Sequence, residues 1–134
     1  MSSHIKFFCV TDKALPNLEN TNLILAGVGK NKFSSNYIDT STKINIYNKE
    51  QHYSELTFHF WYWKNLLHLE NCEWIGFCQK RRFWINKESV GKNINLKNLS
   101  DHLLTRVEKN WGHSNAIICN PINISGSKKI KLIK

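Results

Sequence analysis

Two stretches of this chain gather side chains suited to holding a sugar ring linked to phosphate. Residues 54–65 read SELTFHFWYWKN, and residues 73–84 read EWIGFCQKRRFW. Tryptophans offer flat apolar surface for stacking. Arg81 and Arg82 offer planar forks that match phosphate oxygens, with one arginine free to face a ligand and the other to serve the structure. Glu55, Thr57, Asn65 and Gln79 can exchange hydrogen bonds with hydroxyls, and Lys64 adds a point charge. Packing accounts for the aromatics, but it does not call for Lys64-Asn65 beside them or for two arginines straight after an apolar run. The plainer readings stand next to these. Glu55 near a helix start can serve the helix dipole, Lys64-Asn65 can decorate an exposed face, and Arg81-Arg82 can be a surface pair. Phe83 and Trp84 argue for partial burial of the arginines, and buried arginines need partners. One carboxylate without a partner is a weak basis for acid–base chemistry, so no catalytic residue is assigned.

Other constellations fail their tests. The chain has no Asp-x-Asp, no H-E-x-x-H and no C-x-x-C, so neither a divalent metal nor another cofactor is expected. Gly27-Val28-Gly29-Lys30 has the ending of a phosphate loop. Ile24 stands where the first glycine is required and Asn31 where Ser or Thr is required, which excludes a Walker A loop. Cys9, Cys72, Cys78 and Cys119 read as reduced thiols, three of them in strand-like runs.

The elements that must position these residues follow from hydrophobic pattern. Residues 5–10, 23–28, 73–78 and 115–120 read as strands of one sheet. Residues 30–48, rich in Asn, Ser and Thr, read as a long loop. Asn48 with Gln51 resembles a capping box, and Leu56, Phe60, Trp63 and Leu67 then fall on one face of a helix over 49–69. On that reading Trp63 packs in the core, and Trp61 meets another surface, a strand or a ligand. Leu96, Leu99, Leu103, Leu104 and Val107 outline a second helix. Strands alternating with helices predict an α/β fold, a mostly parallel sheet flanked by helices, with ligands at the carboxyl ends of the strands.

The 134 residues suffice for one domain, or part of one, with 41% hydrophobic residues to form a core. No apolar run reaches the length of a membrane span and no signal peptide is legible. The net charge of +9 favours a polyanionic partner: nucleic acid, an anionic membrane surface or a nucleotide-linked substrate. Much of that excess lies in dispersed lysines and in the terminal SKKIKLIK.

Four segments, in order, carry a family resemblance. IKFFCV leads into Thr11-Asp12-Lys13; DTSTKINIYNK includes Asp39, Asn45, Ile46, Asn48 and Lys49; ELTFHFWYWKN spans 55–65; GFCQKRRFW spans 76–84. Over about residues 5–84 the chain resembles the DUF4422 family, whose signals look like a strand with Thr-His-Lys, DNTGDNISxKN, ELTxxYWxWKN and GLxHYRRYF. Asp12 replaces the family histidine, Gln79-Lys80 replace His-Tyr, and the glycines near Asp39 are poorly matched. The resemblance implies a glycosyltransferase of capsular or other surface polysaccharide synthesis, with a GT-A-like half that binds a nucleotide-activated sugar. It implies donor contacts at Thr11, Asp12, Lys13, Asp39, Asn45, Glu55, Thr57, Trp61, Lys64, Asn65, Gln79, Arg81 and Arg82. The implied partners are a nucleotide-sugar donor and a glycan or lipid-linked glycan acceptor. The implied place is cytoplasmic, peripheral at the anionic inner face of the membrane, with no nucleic acid expected. Family members continue beyond this length, so residues 1–134 are expected to be a single partial domain lacking the acceptor half. The rival readings are a basic nucleic-acid-binding module and a non-catalytic transferase relic acting as a scaffold.

Overall fold

The computed structural model describes residues 4–121. Strand β1 (Ile5–Thr11) is the centre of the fold. Its run IKFFCVT has no polar alternation, as a strand covered on both faces requires. It pairs in parallel with β2 (Ile24–Gly27) on one side and β4 (Trp74–Gln79) on the other. Strand β3 (Tyr37–Asp39) adds to β2, also parallel, so the four-stranded sheet has the order β3-β2-β1-β4. The α/β class and the parallel sheet are as the sequence predicts.

Alternate residues of β1 feed two cores. Phe8 and Val10 face helix α3 (Leu56–Asn65) with Phe58, Trp61 and Tyr62. The Phe8 and Tyr62 rings meet edge-on with centroids 4.8 Å apart, and Phe58 is fully buried. Cys9 faces the opposite layer with Leu18 of the short helix α1 (Pro16–Glu19) and Leu99 and Leu103 of the C-terminal segment. That segment is tied down by an antiparallel bridge between Ile85 and Leu103. Cys9 and Cys78 are cross-strand neighbours, both buried as free thiols, whereas Cys119 is exposed.

Several expected elements differ. Residues 37–39, read as loop, form β3, and its three residues are too few to show a period. The helix over 49–69 is broken into α2 (Glu50–Tyr53), α3 and a terminal 3-10 turn. The break is Ser54, a non-glycine residue at φ 48°. Asn48 makes no side-chain cap; Lys49 occupies the cap position of α2. Residues 96–107 contain one 3-10 turn, Leu99–Asp101, in place of a helix. Residues 115–120 form no strand.

The buried face of α3 is also the opposite of the expected one. Phe58, Trp61 and Tyr62 are inside, while Leu56, Trp63 and Leu67 are exposed. Apolar residues occur on both faces of this helix, so its period cannot choose between them. Polar anchoring decides. The Trp61 indole donates to the Thr42 carbonyl at 2.9 Å, and Asn65 Nδ2 donates to the carbonyls of Ile44 and Trp61 at 2.8 Å each. These bonds hold the 41–46 loop against the Trp61 side of α3.

Candidate functional site at the carboxyl edge of the sheet

The strand order contains a reversal. From β1 the chain steps outward through β2 to β3, then crosses back to lay β4 on the other side of β1. The loops leaving β1 and β4 therefore diverge and leave a crevice between them, the usual ligand position in an open parallel sheet. A cleft of about 270 Å³ lies there. Thr11 and Asp12 line it from the end of β1, Gln79, Lys80 and Arg81 from the end of β4, and Ser54 and Glu55 from the α2–α3 break.

Each contributor is positioned by backbone geometry. Gln79 and Arg82 exchange both backbone hydrogen bonds, at 3.2 and 3.0 Å, so Lys80 and Arg81 form the tip of a two-residue reversal. Thr11 is buried; its hydroxyl donates to the Lys13 carbonyl at 2.7 Å and closes the turn that presents Asp12. Thr57 is also buried, and its hydroxyl donates to the Ser54 carbonyl at 2.7 Å, holding the corner that carries Glu55.

The charges inside the cleft are largely paired. Lys80 Nζ binds Asp12 Oδ1 and holds that carboxyl below the usual carboxylate range. Gln79 Nε2 donates to Glu55 Oε1 at 2.6 Å. The Glu55 carboxyl is lowered as well, by its own backbone N–H first and then by the Ser54 hydroxyl. Arg81 is exposed and makes no side-chain hydrogen bond or ion pair among the described residues. It is therefore the cleft's unspent cation.

A second hollow of about 360 Å³ opens further along the same edge, lined by Gly27, Gly29, Phe33, Tyr37, Asp39 and Tyr47 among others. Asp39 Oδ1 accepts from the Ser41 hydroxyl at 2.6 Å and from its N–H at 2.9 Å, and the hydroxyl is the first cause of its lowered pKa. Strand register puts Gln79 beside Val10, Thr11 beside Gly27 and Gly27 beside Asp39. The two hollows thus lie along one row spanning three strand spacings, about 14 Å.

Of the residues singled out in the sequence, Thr11, Asp12, Glu55, Gln79 and Arg81 meet in the cleft, and Asp39 lies in the second hollow. The others are elsewhere. Asn45 closes its own loop on the carbonyls of Ser41, Thr42 and Lys43. Trp61 and Asn65 clamp that loop to α3, and Thr57 serves the Ser54 corner. Lys64 lies outside, its Nζ 3.7 Å from the centre of the Trp63 ring. Lys13 and Arg82 are exposed and do not line the cleft. Lys80 and Ser54 are not among the implied donor contacts. Lys80 was legible as part of a cationic run at a strand exit, whereas Ser54 carried no signal, because its φ is set by the packing of α2 against α3. No group of three His, Cys, Asp or Glu side chains arranged for a metal ion occurs among the described residues.

A family model described as "Domain of unknown function (DUF4422)" matches residues 6–126. That span extends well past Trp84, where the legible motifs end. No curated protein and no solved structure matches the chain.

Proposed function

The chain belongs to the DUF4422 family, and on that premise we propose that the carboxyl edge of its sheet binds a nucleotide-activated sugar as a glycosyl donor. The observation that carries this reading is the cleft at the strand-order reversal, with Arg81 unpaired beside the Asp12–Lys80 pair and Glu55. An arginine fork at the carboxyl ends of parallel strands suits a diphosphate. In glycosyl transfer that diphosphate is the leaving group and gathers charge as the bond to the sugar breaks. Arg81 and Lys80 would take up that charge where other transferases use a metal ion. Glu55, ionised and held from one side by Gln79, has lone pairs to accept from sugar hydroxyls. The second hollow, with Phe33, Tyr37 and Asp39, suits the nucleoside end of an elongated ligand. The acceptor would be a glycan or lipid-linked glycan of the cell surface, and the whole would resemble a GT-A half-domain.

Titration calorimetry against a panel of nucleotide sugars tests the reading. A hit saturated at a hundred times its dissociation constant should stabilise the fold by about 2.7 kcal/mol. Arg81→Ala should weaken binding by about one to two orders of magnitude, since a charged hydrogen bond contributes roughly 1.5–3 kcal/mol. Arg81→Lys should recover only part, because the fork is lost. Arg82→Ala should leave affinity nearly unchanged. Binding should persist in EDTA; loss restored by Mn²⁺ or Mg²⁺ would assign Asp12 and Glu55 to a cation instead. If no nucleotide sugar binds, or if Arg81→Ala binds like the parent, the donor site is not at this cleft.

A further inference from the structure

Among the described residues nothing covers the outer face of α3, which is apolar. Leu56, Phe60, Trp63 and Leu67 recur at helical spacing along it, and Leu56, Trp63 and Leu67 are 56%, 56% and 43% exposed. Tyr53 on α2 and Leu69 in the following turn extend the strip at 47% and 68%. Single exposed apolar residues are ordinary, but a contiguous strip along a helix marks a contact surface. Its charge is one-sided. Residues 56–69 contain no Asp or Glu, while Lys64 lies over the Trp63 ring at 3.7 Å and close to Phe60. The nearest carboxylates in sequence are spoken for: Glu55 by Gln79 in the cleft and Glu70 by Lys6 at 2.6 Å.

We propose that this strip docks the protein on an anionic lipid surface, with Leu56, Trp63 and Leu67 dipping into the interface and Lys64 at the phosphate level. An exposed strip of aromatic and leucine side chains with a cation at its margin, on a chain of net charge +9, has the chemistry to settle on an anionic membrane surface. Tryptophan and lysine both favour that depth, the first by its amphipathic ring and the second by extending its ammonium to the headgroups. A second copy of this chain fits less well. A two-fold contact would lay the strip on itself and bring two Lys64 cations together with no carboxylate on the face to receive them. The surface does not depend on the donor reading. It does place the cleft beside the bilayer, because Glu55 directly precedes Leu56.

The test is co-sedimentation of the full chain with vesicles of phosphatidylcholine alone and of equimolar phosphatidylcholine and phosphatidylglycerol. Binding is expected on the anionic vesicles, weakening as salt is added, and little on the neutral ones. Trp63→Ser should lower partitioning about tenfold or more, since it removes a large interfacial side chain. Leu67→Gln should act in the same direction. Both positions are exposed, so circular dichroism and melting should match the parent. Brominated acyl chains should quench the parent's tryptophan fluorescence, and Trp63→Ser should lose that quenching. Three results overturn the proposal: no binding to either vesicle; binding that Trp63→Ser leaves intact, which would credit the dispersed lysines alone; or a lipid-free dimer that Trp63→Ser dissociates, which would make the strip a self-contact.

Discussion

Tyr62 shows how one atom can sit against the grain of an otherwise well-packed layer. Its ring is in the α3 core, edge-on to Phe8 and Phe77, yet its hydroxyl is buried without a hydrogen-bond partner among the described residues. Burial pushes the phenol far above its ordinary pKa, and the nearby Glu70 carboxylate adds to the shift. An unsatisfied buried hydroxyl costs about 1–3 kcal/mol. Tyr62→Phe keeps the ring and removes that cost, so it should raise stability by about 1 kcal/mol in urea unfolding. A loss of stability would mean that the hydroxyl does bond to Glu70 in solution. Arg81 and Arg82 divide on similar local grounds. They are adjacent in sequence, but Arg81 is at the tip of the turn and Arg82 is in the backbone pair that closes it.

At the scale of elements, two of the family-like segments turn out to serve each other. The loop from Asp39 to Lys49 and the helix with WYWKN are joined by Trp61 and Asn65, while Asn45 closes the loop on itself, so residues that looked suited to a ligand hold architecture. The fourth segment, GFCQKRRFW, has a packing reason for its glycine. A Cβ on Gly76 would lie 2.1 Å from the Phe7 ring of the neighbouring strand. Gly76→Ala should therefore force β4 away from β1 and destabilise by about 1–3 kcal/mol. Because β4 carries Gln79, Lys80 and Arg81, donor affinity should fall with it. Gly91, at φ 82° in open space, is a useful contrast: its alanine variant strains only a surface turn.

For the whole molecule, the shifted groups that titrate below neutral pH agree in sign. Asp12, Asp39, Glu55 and Glu70 all have carboxyls lowered in the folded state, Glu70 chiefly by its bond to Lys6. The His59 pKa is lowered by burial against Phe77, partly offset by Glu55. In each case the unfolded chain binds the proton more readily, so stability is full above the unfolded pKa and drains as pH falls through the folded one. The urea midpoint should hold near pH 7 and begin to drop below about pH 6.5 as His59 titrates in the unfolded chain, then drop further through the carboxylate range near pH 4. His59→Asn should flatten the first segment alone. A midpoint that rises on acidification would contradict these assignments. No helix among the described residues is long and apolar enough to cross a membrane.

What the amino-acid sequence determined by itself was local and strongly patterned. The uninterrupted apolar run of β1, the approximate places of β2 and β4 and the parallel α/β class were all legible, because a strand covered on both faces needs a continuous apolar segment wherever it sits. The family was legible too, through four ordered motifs, and so was the cationic exit of β4. Tertiary structure decided the rest. The three residues of β3 are a strand only because β2 offers them an edge. The residues of α3 are apolar on both sides, and bonds to a loop nineteen to twenty-one positions away settled which side is buried. The regularly spaced leucines of 96–107 are apolar because they cover the sheet, not because they form a helix. The cleft joins positions 11–12, 54–55 and 79–81, and it exists only because β4 returns to the far side of β1. Strand order is a long-range choice made by packing both faces of the sheet, and no local period records it.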